Sequence, residues 1–230
     1  MSRGSELAVT DHTMIIGSIE RETAALLSHV LSEFLEIDLQ GEPLLAGLTG
    51  GHILTHLSRE SDRMADQLLA ATGQVVPTPD PDRQWPVEQG GLRPGAVLIE
   101  DFVESSDRLR AALVSVTDWS QLDAAARAVP GQRLVQLVMH HADLKRPWSS
   151  VPEDDAVVAV AQLSQVLAAE LAGIRLTAVP AAPSLQVATV DGETLIEGDP
   201  RDLLAWASGR PASTDTTTAG LPDVGGRVWF

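Results

Sequence analysis

Residues 47–62 read GLTGGHILTHLSRESD. From Gly50 to Ala71 the residues Ile53, His56, Leu57, Met64 and Leu68 recur at three- and four-residue spacing, which predicts one amphipathic helix. His52 and His56 are one turn apart, so on such a helix they look into the same space. The segment VQLVMHHADL, residues 135–144, repeats that geometry with Gln136 and His140. Two helices of this kind, packed side by side, bring nitrogen and oxygen donors from opposite walls to one point, and helical bundles assemble metal sites in this way. Gln136 is the weaker member of such a set. An amide oxygen donates less to a first-row metal than a carboxylate or an imidazole does.

Three further helices complete a bundle around this one. Thr10 to Phe34 carries Ile15, Ile16, Ile19, Leu26, Leu27, Val30 and Leu31 at helical spacing, with Asp11 available as N-cap. Gly95 to Val116 directs Val97, Leu98, Phe102, Leu109 and Leu113 inward, and Arg133 to Leu144 forms the fourth, after a stop at Pro130-Gly131. The proline-rich stretch from Val75 to Pro86 reads as a loop. Asp154 to Ala172 is a fifth, alanine-rich helix that either caps the bundle or bridges to the C-terminal part of the chain. Beyond it the pattern changes to period two in IRLTAV, SLQVATV and ETLIEG, with Asp191-Gly192 as a hairpin turn. A short helix from Pro200 to Ser208 has proline in its first turn and Gly209 at its end. The fold class expected is α+β: a four-helix bundle within residues 1–150, then a bridging helix and small α+β unit within 151–230.

Composition narrows the chemistry. The chain has 230 residues, a formal net charge of −16 and no cysteine. The charge argues against nucleic acid and against an anionic membrane surface, because its summed field repels phosphate. Without cysteine there is no disulfide, thiolate ligand or protein thiol nucleophile, so thiol chemistry requires a borrowed thiol. The opening MSRGSELAVTDH lacks a signal-peptide apolar core, and no apolar run reaches the ~18 residues of a membrane span. A cytoplasmic location is expected. Of 16 basic residues only Lys145 is lysine, a bias that suggests GC-rich coding and an actinobacterial-type source.

Other residues near the two pairs admit two readings each. Asp143 is either a carboxylate that orients an imidazole or a helix-end charge paired with Arg146. Glu60, four residues beyond His56, is either a base or extra ligand or a solvated charge. Arg59 and Arg133 either form an anion site or are ordinary helix arginines. Arg210, just past Gly209, either holds a carboxylate in its planar fork or complements the helix dipole. His12 and His29 have no partner at helical spacing and are expected to be surface or hydrogen-bonded core residues.

GLTGGHILTHLSRESD resembles the second-helix motif of the mycothiol-dependent maleylpyruvate isomerase family, within the DinB-like superfamily of metal-binding four-helix bundles. VQLVMHHADL looks like that family's Glu-x-x-x-His-x-x-Asp-Leu segment, and GDPRDLLAWASGRPAS and LPDVGGRVWF resemble its small C-terminal domain. The resemblance implies a divalent metal, typically zinc, held by His56, Gln136 and His140. It further implies the low-molecular-weight thiol mycothiol as cofactor and Arg210 as the group that holds the carboxylate of a small-molecule substrate; Arg59 and Arg133 are candidate contacts for that cofactor by their place near the two pairs in sequence. The reaction the resemblance implies is addition of the thiolate to the substrate double bond, rotation, and elimination to the trans isomer. This chain departs from the family pattern at Gln136, where glutamate is usual, and at Leu48, where tryptophan is common. Two functions are open on this reading: a thiol-dependent isomerase or transferase, or a non-catalytic relative whose bundle pocket binds a small molecule or partner.

Overall fold

The computed structural model describes residues 12–33, 39–41, 47–78, 85–170, 173–182, 184–190, 192–210 and 221. The helices are α1 (His12–Glu33), α2 (Gly50–Ala71), α3 (Val87–Gly90), α4 (Gly95–Ser115), α5 (Ala124–Asp143), α6 (Glu153–Glu170) and α7 (Pro200–Ala207). The strands are β1 (Ile174–Ala178), β2 (Gln186–Val190) and β3 (Glu193–Gly198). The expected α+β architecture is present: α1, α2, α4 and α5 form the bundle, and a small α+β unit follows it. Asp11, Phe34, residues 79–84 of the proline-rich loop and residues 211–220 and 222–230 lie outside the described residues.

The apolar stripes account for the bundle. Ile53, Leu57, Met64 and Leu68 of α2 are buried, and they meet Leu98, Phe102, Leu109 and Leu113 of α4 and Leu134, Leu137 and Val138 of α5. Burying one such side chain contributes roughly 1.5–3 kcal/mol, so the interleaved stripes supply the main drive for association. Two positions assigned to the core are not in it: Leu31 is 62% exposed and Val97 41%. Each lies at the margin of its stripe, where helical periodicity carries the side chain out toward water.

The expected stop at Pro130-Gly131 is overturned, because α5 begins at Ala124 and runs through both residues. Asp123 caps its start, accepting from the backbone N–H of Ala126 at 2.8 Å. Proline forfeits one helical hydrogen bond. Tertiary packing offsets this: Ala126, Val129, Leu134 and Leu137 on either side are all buried. At Gly131 a Cβ would collide with the Gln162 side chain, so glycine is what lets α6 approach α5.

Helix α6 packs against α5 on one side and β1 and α7 on the other. Its buried Asp155 pairs with Arg21 of α1 at 2.5 Å. The sheet order is β1-β3-β2, with β1 parallel and β2 antiparallel to β3. The expected hairpin is observed: Val190 faces Glu193 across the turn, and Gly192 adopts a φ of 85°, which glycine tolerates. Leu176 and Ile196 sit opposite each other in the register and are both buried. Strand β2 is exposed along its whole length. Pro200 and the Asp199 cap start α7, and Gly209 with φ of 69° turns the chain so that Arg210 points back into the protein. Among the described residues no helix is long and apolar enough to cross a membrane.

Candidate metal centre

His56 lies in the second turn of α2 and His140 in the last turn of α5, and these two helices pack together. The rings meet edge to face with centroids 5.3 Å apart. His140 is fully buried and His56 is 7% exposed. Nδ1 of His140 lies 2.8 Å from Oδ2 of Asp143, so the ring proton sits on Nδ1 and is donated to the carboxylate. This leaves the lone pair on Nε2, an atom buried inside the bundle, as is Nε2 of His56. Gln136 is one turn before His140. Its amide nitrogen donates to Oε2 of Glu60 at 3.3 Å, and its Oε1 is buried without a hydrogen-bond partner among the described residues. The structure thus gathers His56, Glu60, Gln136 and His140 where α2 meets α5.

The electrostatics favour neutral rings. Burial pushes the His56 imidazolium down to about 4, with the neighbouring His140 and Arg133 adding to the effect and Glu60 opposing it. Burial likewise lowers His140, against the attraction of Asp143. Burial alone would raise the Asp143 carboxyl, but its hydrogen bonds to Arg210 and His140 hold it below the usual carboxylate range. Burial would raise Glu60 as well, yet Arg63 at 2.7 Å and Gln136 together outweigh it and lower the carboxyl. Neutral imidazoles beside ionised carboxylates are the protonation states that metal ligation needs.

Arg210 reaches the histidines from the C-terminal unit, but not as an open fork over the pocket mouth. Its Nε and Nη2 donate to Oδ1 and Oδ2 of Asp143, each at 2.6 Å, and Nη1 donates to the carbonyl of Ser208 at 3.0 Å. The carboxylate in its fork is therefore Asp143, and Arg210 is 8% exposed. Of the two readings of Asp143, the geometry matches the one that orients an imidazole. Arg146 instead bonds Nδ1 of His141 at 2.6 Å, beside the buried Glu22.

Other residues are placed elsewhere. His52 does not share a space with His56: its Nδ1 is 2.7 Å from Oγ1 of Thr49 and accepts from the Thr49 N–H at 3.2 Å, capping the start of α2. The ring packs on Gly91, where an added Cβ would meet it at 2.6 Å. One helical turn aligns positions, but the free N–H groups at a helix start draw a polar side chain back. Arg59 donates to Asp101 at 2.5 Å and lies 3.4 Å from Asp62. Arg133 is 1% exposed, inside the bundle, and donates to the carbonyl of Leu57 at 3.0 Å. His29 bonds the carbonyl of Leu144 at 2.8 Å, and His12 stacks on Trp119 with centroids 4.4 Å apart. Sequence reasoning missed the Glu60–Gln136 contact, although Glu60 and His56 share a helix face.

The residues present fit a divalent metal in the chemistry of their donors: two neutral imidazoles, an amide oxygen with no other partner, and a carboxylate adjacent. Among the described residues no three His, Cys, Asp or Glu side chains gather as a metal-holding group. Any site here therefore depends on the amide.

An α+β chain that packs a histidine pair inside its helical bundle and ties one of them, through a carboxylate, to its C-terminal unit defines a narrow structural class. The model of the mycothiol maleylpyruvate isomerase N-terminal domain matches residues 21–145, and the chain belongs to that family. The crystal structure of the mycothiol-dependent maleylpyruvate isomerase superposes with a TM-score of 0.68 at 21% identity, over 92% of this chain and 95% of that one. The crystal structure of a histidine-to-alanine mutant of that enzyme also gives 0.68, at 20% identity over the same shares. At this identity the likeness shows a shared fold. No curated protein sequence matches the chain.

Proposed function

We propose that the protein is a mycothiol-dependent, metal-assisted isomerase or thiol transferase that acts on a small carboxylated substrate. The single observation that carries this reading is the buried His56–His140 pair with Asp143 and Arg210 lined up behind it. Family membership and the absence of any cysteine support the borrowed thiol.

His56, His140 and Gln136 are the residues that would hold a divalent metal, zinc being the expected one. Such an ion supplies Lewis acidity and keeps a bound thiol as its thiolate at neutral pH. The protein contributes orientation and exclusion of water. Asp143 accepts the Nδ1 proton of His140 and so fixes the ring and its tautomer. Arg210 holds Asp143 in place and keeps it ionised. In this reading Arg210 positions the cluster first. A substrate carboxylate, the role expected for it, would share the guanidinium with Asp143. Of the two arginines assigned to the thiol cofactor, Arg133 is the better placed, because the Arg59 charge is already matched by Asp101 and Asp62. Residues 1–150 and 151–230 are proposed as the two units, with α6 as the bridge, and the chain is proposed to be cytoplasmic.

A second reading has one observation behind it. Gln136 already spends its amide on Glu60, so the cluster is also consistent with a relative that binds a small molecule without metal. The test is metal content by mass spectrometry on protein purified without a polyhistidine tag, paired with a cis-to-trans assay on maleylpyruvate and related dicarboxylates, with and without mycothiol. Stoichiometric metal lost in His56→Ala and His140→Ala, together with thiol-dependent turnover, is expected. Metal-free protein with no turnover leaves the binding reading.

A further inference from the structure

A cavity of about 360 Å³ opens between α1 and α4, away from the Asp143–Arg210 contact. Its walls include Ile19, Thr23 and Leu27 of α1 and Phe102, Ser106 and Leu109 of α4, and Arg133 of α5 reaches it from inside the bundle. The volume is that of a small-molecule site. The polar atoms at its base are unusual. Nη2 of Arg133 and Oγ of Ser106 are both buried, and neither has a hydrogen-bond partner among the described residues. Arg133 is 1% exposed, and among the described residues its one hydrogen bond goes to a neutral carbonyl on α2. Among the described residues no carboxylate lies within ion-pair distance of it. The Glu60 charge acts on it only from beyond that distance, and a buried guanidinium without a close counter-charge is costly, so a partner that supplies one recovers that cost. The Phe102 ring centroid lies 6.0 Å from the guanidinium carbon, too weak a contact to replace an anion.

We propose that this groove is a binding site for an amphipathic organic carboxylate, its anionic head on Arg133 and Ser106 and its apolar body between α1 and α4. Nη2 of Arg133 offers a charged donor that suits a carboxylate oxygen, and the Ser106 hydroxyl supplies a second. The rim explains why an apolar body is required. Glu20 is neutralised by Arg110 at 2.6 Å, but Asp107 also stands there, so a small inorganic anion is repelled at the entrance and gains nothing from the walls. The site shares Arg133 with the thiol contact proposed above and so rests beside that reading, and its occupancy is measurable with neither metal nor thiol present.

Titration calorimetry with octanoate, and with octanamide as the uncharged isostere, tests the assignment on the full chain. Octanoate is expected to bind at least about tenfold tighter than octanamide, the ratio one charge-assisted contact supplies. Ser106→Ala should weaken octanoate severalfold, and Thr23→Trp, at a half-buried wall position, should abolish binding while circular dichroism stays unchanged. Arg133→Met should remove the preference for octanoate. Equal affinities for the two probes, or octanoate binding that survives Thr23→Trp, would overturn the proposal. So would binding that appears only with zinc, because that places the carboxylate at the histidines.

Discussion

Asp143 grips Arg210 through both carboxylate oxygens at 2.6 Å, joining the last turn of α5 to a residue 67 positions further along the chain. Both side chains are almost wholly buried, 2% and 4% exposed, so neither charge has water to fall back on. Arg210→Ala and Asp143→Asn should each lower the unfolding free energy by roughly 3–5 kcal/mol, the usual result of stranding one member of a buried pair. The double variant should lose much less than the sum. Urea denaturation of the four forms measures the coupling, and simple additivity would mean that the pair is not energetically joined. Arg210→Lys should lie between, because an ammonium lacks the planar fork.

Gln136→Glu should change stability in opposite directions with and without metal. In the metal-free protein the new carboxylate lies against Glu60, which now accepts from the Gln136 amide at 3.3 Å, so a hydrogen bond becomes a like-charge contact and the melting temperature should fall by a few degrees. With zinc the anionic oxygen is the better ligand, and both affinity and melting temperature should exceed those of the parent. Calorimetric zinc titrations of both forms decide it. Equal affinity removes Gln136 from the ligand set.

Acid should destabilise the metal-free protein through His56. Its imidazole titrates at 6.5 in the unfolded chain but only near 4 when folded. Between those values the unfolded state takes up a proton that the folded state refuses. Stability therefore falls as pH drops from 6.5 to 4 and this residue's loss levels off below that, reaching about 3 kcal/mol. His140 adds a loss of the same sign, so the informative quantity is the difference between the parent and His56→Gln. Stability profiles from pH 4 to 7 that run parallel would refute it.

Arg133→Met should raise stability by roughly 1–4 kcal/mol, because it replaces a buried cation that has no carboxylate within ion-pair distance among the described residues with an apolar chain of similar length. The single bond lost, to the Leu57 carbonyl, is cheap, since that oxygen also accepts from Ser61 at 2.8 Å. Chemical denaturation checks the sign. A large destabilisation would show that Arg133 holds the bundle together rather than waiting for a ligand.

Local pattern revealed most of the architecture, and its failures share one physical origin. The bounds of α2 are those expected, Gly50 to Ala71, because its stripe is regular and glycines mark its start. The hairpin at Gly192 and the cap at Pro200 were legible for the same reason: the turn chemistry is contained in a few adjacent residues. Pro130 misled because its local cost is real, while the packing that outweighs it comes from α1, α2 and α6 and cannot be read from residues 124–143. His52 misled because spacing alone does not show that a helix start needs its donors and acceptors answered. In the candidate site, the expectation that His56, Gln136 and His140 lie on facing helices comes from spacing and resemblance. The Asp143–Arg210 contact, and the unanswered Arg133 and Ser106 atoms, exist only after four helices and a distant turn have closed.

The sheet also bears on when the histidine cluster is completed during folding. The chain leaves β1, forms β2 at the far edge, and returns as β3 in the middle. The β2–β3 hairpin closes over a very short turn, whereas β1 must find β3 with all of β2 intervening in sequence, and Arg210 must find a residue 67 positions earlier. Closure entropy grows with the length of chain enclosed, and non-local pairings are slow. Arg210 comes directly after β3 and α7, so its contact with Asp143 encloses the whole sheet. The orientation of His140 thus depends on a contact that local sequence cannot make: Asp143 meets its guanidinium partner only when the C-terminal unit is docked.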